Sequence, residues 1–268
     1  MEELFPNLRL NDIMMYRLLR KVLDRMARPA AVPAGLRIYA IGDIHGRRDL
    51  LDSLIAMIDE DDHRRRPAKT MLIFLGDVVD RGPDSRGVIE RLITLGDSPQ
   101  QTLFLMGNHE EMLLLAHDGD PRVASQLDHI GGRQTLASYG VDDREFDRSD
   151  PERLVRLLRE RIPKQHIDFL RSFRDAIVIG DYLFVHAGIR PGIPLAEQKS
   201  SDLHWIRHEF LDHQGDHGAI VIHGHSISDR PEQRPNRIGI DTGAYASGRL
   251  TAIGLEGSDR WYLATDEA

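Results

Sequence analysis

Short apolar runs recur along the chain after Pro33, and five of them run straight into a loop rich in Gly, Asp, Asn or His. Leu36–Ile41 leads into Gly42-Asp43-Ile44-His45-Gly46, and Met71–Leu75 into Gly76-Asp77-Val78-Val79-Asp80-Arg81-Gly82. Leu103–Met106 leads into Gly107-Asn108-His109-Glu110, Tyr182–Val185 into His186-Ala187-Gly188, and Ala219–Ile222 into His223-Gly224-His225. Runs of about four to six residues bounded by glycine predict strands, and their unbroken hydrophobicity predicts burial on both faces. Between the first strands the period changes. Leu50, Leu51, Leu54, Ile55 and Ile58 share one helical face, and Pro83–Leu95 opens on a proline and stops at Gly96, the expected asymmetry of a helix. Strand, loop, helix and strand repeated in this way define an α/β class.

Three further segments complete the pattern. Asn11–Met26 carries Ile13, Met14, Leu18, Leu19, Val22, Leu23 and Met26 near helical spacing, so it predicts an amphipathic helix packed on the back of the domain, ended by Pro29 and Pro33. From Leu113 to about Gln165, strands are few and charges many, which predicts a helical insertion over the motif-bearing edge. Arg237–Ile240, Leu250–Leu255 and Arg260–Leu263 read as short strands of an antiparallel closing sheet. No internal repeat or linker divides the chain, so residues 1–268 are expected to form one domain, with 1–34 as an N-terminal helical extension.

Composition narrows the chemistry. Hydrophobic residues make up 41% and charged residues 29%, ordinary for a globular chain. Its longest apolar stretches are about five residues, against roughly 20 for a membrane span, so no membrane partner is expected. A net charge of −8 argues against nucleic acid, whose phosphates demand a basic face. Cys 0 excludes disulfides, thiolate metal sites and a cysteine nucleophile, and leaves the 13 histidines with Asp, Glu and Asn as metal ligands. Residues 1–28 never offer the apolar core of a secretory signal, so a cytoplasmic location is expected.

In open α/β sheets, ligands bind outside the carboxyl ends of the strands. Every Asp, Asn and His cluster above occupies such an end, which directs Asp43, His45, Asp77, Asn108, His186 and one or both of His223 and His225 to one edge. Carboxylate, amide and imidazole together suit Mn, Fe or Zn. Six or seven ligands are too many for one small ion but suit two that share a bridge; such a pair clamps a phosphate and generates hydroxide for in-line displacement. Two ions bring +4 against −2 from Asp43 and Asp77, so the pocket favours a dianionic phosphoryl group.

The five loops in this order resemble the signature of the PPP-type serine/threonine protein phosphatases, within the calcineurin-like metallophosphoesterases. The likeness runs from about Leu36 to Leu255, and Gly239-Ile240-Asp241-Thr242-Gly243-Ala244 is similar to the bacterial and phage branch. It implies a two-sheet β-sandwich flanked by helices, with a dinuclear metal site at the strand C-terminal ends. By that resemblance Asp43, His45 and Asp77 hold one ion, while Asp77 as the bridge, Asn108, His186 and His225 hold the second. The two ions are expected to be manganese, with iron or zinc also fitting. The family's Gly-His pair selects His225 over His223, which the residues alone leave open. His109 is then the general acid that protonates the leaving alkoxide, Asp80 orients it, and Arg81 and Arg207 clamp phosphate oxygens. The wider superfamily often has a further histidine at the position of Ile227, and its absence counts against nuclease-like relatives.

The resemblance makes the expected substrate a phosphoserine or phosphothreonine protein or peptide, attacked by a metal-bridging hydroxide. The alternative is a diadenosine tetraphosphate hydrolase, although that branch typically has alanine at the position of Asp80 and aspartate at that of Glu110. A non-catalytic scaffold would need broken ligand positions, and none of the six is broken. Glu110 is expected to hydrogen-bond locally, Tyr245 to border the groove or pack, and Gly131-Gly132 to turn near the site. His63, His117, His129, His166, His204, His208, His213 and His217 lie outside the motifs and are expected to be solvated.

Overall fold

A computed structural model describes residues 29–265, so the amphipathic segment Asn11–Met26 lies outside the described residues. The chain alternates strand and helix as β1 (Leu36–Ile41), α1 (Arg48–Arg64), β2 (Lys69–Phe74), α2 (Ser85–Gly96), β3 (Gln101–Phe104) and α3 (Asn108–Asp118). Six short helices follow, α4 (Pro121–Ala124), α5 (Leu127–Ile130), α6 (Gly132–Ser138), α7 (Asp143–Asp147), α8 (Pro151–Arg161) and α9 (Lys164–Arg171). The second half contains β4 (Ala176–Ile179), β5 (Tyr182–Val185), α10 (Ser200–Trp205), α11 (His208–Leu211), β6 (Ile220–His223), β7 (Glu232–Gln233), β8 (Arg237–Gly239), α12 (Ala244–Ser247), β9 (Thr251–Glu256) and β10 (Asp259–Ala264).

Two five-stranded sheets form, in the orders β10-β9-β1-β2-β3 and β4-β5-β6-β8-β7. β1, β2 and β3 are mutually parallel, as are β5, β6 and β8. The period-2 alternation of each strand divides its side chains between two layers. In β1, Ile38 and Ala40 face the other sheet and meet Phe184, Ile222 and Ile238, while Tyr39 and Ile41 face helices and pack with Leu51, Leu54 and Ile58 of α1. Leu183, Val185 and Val221 cover the outer face of the second sheet with Leu203, Ile206 and Phe210. Helices therefore lie on both sides of a sheet-on-sheet core. This is the expected sandwich, and it explains why the strands are apolar without interruption.

The expected closing sheet does not form as one unit. β9 and β10 do pair antiparallel beside β1, but β8 joins the other sheet, parallel to β6. A three-residue run carries too little pattern to reveal its neighbour, and Ile238 is drawn into the inter-sheet core. The helix expected from Pro83 begins at Ser85, because the Asp84 carboxylate accepts the Gly87 N–H at 2.8 Å and caps it there. The helical stretch beyond α3 continues past Gln165 to Arg171. No helix among the described residues is long and apolar enough to cross a membrane.

Candidate metal and phosphate site

The parallel strands of both sheets point their carboxyl ends at one edge. β1 delivers Asp43 and His45, β2 Asp77, β3 Asn108, β5 His186 and β6 His225. All six are buried. Asp77 is the hub. Its Oδ1 lies 3.4 Å from His186 Nε2, and its Oδ2 lies 3.6 Å from His45 Nε2 and 3.8 Å from His109 Nε2. The rings are aimed from behind: His45 Nδ1 donates to Val79 O and His186 Nδ1 to Leu75 O, both at 2.8 Å. Neutral, each ring then presents its Nε2 lone pair inward, the orientation a metal ligand needs. Burial above all lowers His45 and His225 to about 3, so both imidazoles are neutral at pH 7 and available to a cation. For Asp77, burial opposes ionisation but is outweighed by His186, His109 and His45, which hold its carboxyl well below the usual range.

The donor set fits divalent ions on an independent count. Asp43 Oδ1 and His225 Nε2 are buried without a hydrogen-bond partner among the described residues, a costly state unless something else engages them. Two ligand groups, His45-Asp77-His109 and Asp77-His186-His225, share Asp77. The expected first set had Asp43 where that geometric group has His109. His109 is engaged otherwise: its Nδ1 donates to Asp80 Oδ2 at 2.8 Å, and Arg81 Nη2 lies 3.1 Å from its Nε2. An arginine cation at that nitrogen disfavours a metal there. Burial works against a charged His109, but Asp77 and Asp80 prevail and raise its pKa.

The loops are strained where they carry the candidate site residues. Among the described residues, the non-glycine residues with positive φ are His45, Asp77, Asp80, Arg81 and His225, at 47° to 69°. Such conformations cost on the order of 1–3 kcal/mol each and persist only when their surroundings hold them. Here each of the five donates its own N–H: His45 to Asp77 O, Asp77 to Glu110, Asp80 to Ser85 and Thr135, Arg81 to Gly131 O, and His225 to Asp43 Oδ2. Gly131 itself has φ 90°, and a Cβ on it would lie 2.5 Å from Arg81 N, so the expected turn does abut the site.

Glu110 makes the expected local bond, to the Gly107 N–H three residues back, and acts at longer range as well. Its Oε1 accepts Val78 N and Val79 N, and its Oε2 accepts Asp77 N and Gly107 N, at 2.8 to 3.3 Å. It therefore ties the Asp77 loop to the Asn108 loop. The neutral isostere Glu110→Gln keeps one oxygen and leaves two of these donors facing an NH₂ group. We expect it to lower unfolding stability by about 2 kcal/mol and to weaken metal affinity roughly tenfold. Denaturant unfolding and metal titration check this, and unchanged metal affinity would confine Glu110 to folding.

Other residues depart from the sequence reading. His166 and His204 are buried rather than solvated, His166 bonded to Tyr139 Oη at 2.8 Å and His204 to Asp175 at 3.1 Å. Arg207 is exposed, near enough to His225 to contribute to its lowered pKa. The Tyr245 ring sits 4.8 Å from the Arg81 guanidinium and meets His45 edge-on at 5.4 Å, so it borders the site. Asp241 carries no role in the sequence expectations. It follows β8 as Asp43 follows β1, is buried beside Asp43, and burial raises its carboxyl. Its place after an apolar run was the available signal.

The calcineurin-like phosphoesterase profile matches residues 36–250, which spans the whole site. The chain belongs to the calcineurin-like phosphoesterase family. It is a metallophosphoesterase, and the family implies divalent metal ions, for which the His and Asp groups described above are the candidate holders. The chain is 31% identical to a symmetrical bis(5′-nucleosyl)-tetraphosphatase of Acidovorax sp. over 69% of its own length and 52% of that protein, so it spans about half of that relative. It is 26% identical to the asymmetrical bis(5′-nucleosyl)-tetraphosphatase PrpE of Anoxybacillus flavithermus, over 80% of the chain and 88% of the relative. With serine/threonine-protein phosphatase 2 of Escherichia coli it shares 32% identity over 80% of the chain and 90% of the relative.

Proposed function

We propose that this phosphoesterase hydrolyses dinucleoside polyphosphates. The observation that carries the reading is the recurrence of tetraphosphatases among its curated relatives, one of them matched over 88% of its length. The sequence alone ranks phosphoproteins first; the recurrence of tetraphosphatases among the relatives favours the alternative. The surface geometry is compatible with a two-armed substrate. Clefts of about 630 and 660 Å³ meet at Tyr245, one lined by Ile227, Ser228, Thr242 and Arg249, the other by Arg47, Arg48, Arg81 and Pro83. Each has the volume of a small-ligand site, and Tyr245, expected from the sequence to border the groove or pack, offers an aromatic surface where they meet.

In this reading Asp43, His45, Asp77, Asn108, His186 and His225 hold two divalent ions. When bound, these supply charge neutralisation at the phosphoryl oxygens and an activated water. Arg81 and Arg207 bind phosphoryl oxygens, and neither has a carboxylate partner among the described residues. His109 delivers a proton to the leaving oxygen, held in place by Asp80. That last pair also supports a second reading, a serine/threonine protein phosphatase, because an alkoxide leaving group requires protonation far more than a nucleotide does. The Escherichia coli relative supports it too. The test is kcat/KM for diadenosine tetraphosphate and phosphoserine peptides at one manganese concentration. We expect a preference of roughly 100-fold for the tetraphosphate, about 2.7 kcal/mol in transition-state binding. The same preference for the peptides would establish the second reading instead.

A further inference from the structure

We propose that Thr135, contributed by the helical insertion, is a positioning residue for proton transfer: it fixes the Asp80 carboxylate so that its other oxygen aims the His109 ring. Thr135 and Asp80 are both fully buried. A carboxylate only accepts, so the Thr135 hydroxyl gives its single proton to Asp80 Oδ1, at 2.6 Å. Its lone pairs then accept the Asp80 N–H at 2.9 Å and the Ser85 hydroxyl at 2.9 Å. Ser85 Oγ in turn shares the Asp80 N–H, at 3.0 Å. The hydroxyl thus grips Asp80 at both backbone and side chain, where φ is 69° and the residue needs external support. Asp80 Oδ2 is left for His109 Nδ1 at 2.8 Å, which completes a chain Thr135–Asp80–His109.

The same insertion holds the neighbouring phosphate ligand, since Gly131 O accepts the Arg81 N–H at 3.1 Å. A segment outside the five motif loops therefore orients both the proton donor and the phosphate clamp. A hydroxyl whose valences are all used, on the acid's carboxylate rather than facing solvent, is better suited to aiming than to binding substrate.

The inference rests on His109 as the general acid, and the experiment separates the two claims. Thr135→Val keeps the shape and removes the hydroxyl; Thr135→Ser restores it. In the metal-loaded chain, kcat is compared on phenyl phosphate, a poor leaving group, and p-nitrophenyl phosphate, a good one. Thr135→Val is expected to lose about 10-fold more on the former, with metal content unchanged, and Thr135→Ser to recover most of it. Independently of turnover, the His109 Nδ1 proton should give a low-field NMR resonance, assigned by its absence in His109→Asn. That resonance should shift or broaden in Thr135→Val and return in Thr135→Ser. Equal losses on both esters together with an unchanged resonance would overturn the role of Thr135. Should His109→Asn itself show no leaving-group dependence, the acid reading fails, and the resonance alone then decides whether Thr135 positions the ring.

Discussion

Asp77→Asn is expected to lose more than about 100-fold in kcat, because changes to residues that merely support a metal ligand already cost 10–100-fold. Asp77 is the carboxylate that both ligand groups share. Its Oδ1 accepts the His109 N–H at 3.1 Å and faces His186, while its Oδ2 faces His45. Asparagine keeps the shape but offers one oxygen and no charge, so it cannot serve two cations. The metal-free fold should lose some support as well. Against the opposition of burial, His186, His109 and His45 hold the Asp77 carboxyl well below its usual range, so its charge favours the folded state and the unfolding midpoint should fall. What should vanish is the stabilisation that manganese confers on the wild type through binding only the folded state. Metal analysis should count two ions per wild-type chain and fewer in the variant. A fully active wild type with one tightly held ion would contradict the shared-bridge arrangement.

His109→Asn should separate proton donation from metal binding. Positioned general acids contribute about 10²–10⁴-fold, so kcat on a phosphoserine peptide should fall by that range. On p-nitrophenyl phosphate, whose leaving group needs little help, the loss should shrink. Both ions should remain, since His109 commits its two nitrogens to Asp80 and Arg81. Loss of an ion would instead make His109 a ligand, as its 3.8 Å approach to Asp77 Oδ2 would then mean. A uniform loss on both esters would reduce it to a positioning role.

Much of this protein can be read from local pattern. Strand period and glycine boundaries are properties of neighbouring residues, so β1, β2, β3, β5 and β6 were legible within one to two residues at each end, and with them the loops that carry Asp43, His45, Asp77, Asn108, His186 and His225. Parallel strands bring their carboxyl ends together by topology alone, which is why one chain sufficed to gather six candidate ligands. The sandwich itself came from the resemblance, since an apolar run does not say which sheet it joins. β8 is the instance: Ile238 could have packed in either sheet, and only the inter-sheet core assigned it.

What supports the site escaped the sequence for a related reason. Glu110 bonds residues 31 to 33 positions away, and Thr135 reaches Asp80 across 55. A carboxylate or hydroxyl in a helix has no local signature of the distant N–H it will meet. The strain at Asp77, Asp80 and His225 is likewise invisible locally, because aspartate and histidine prefer ordinary backbone until tertiary hydrogen bonds hold them elsewhere. The sequence by itself determined which candidate ligand atoms the chain offers to metal and phosphate. Tertiary packing alone decided how those atoms are aimed, because aiming depends on bonds between loops and an insertion that adjoin only once the two sheets and their helices have packed.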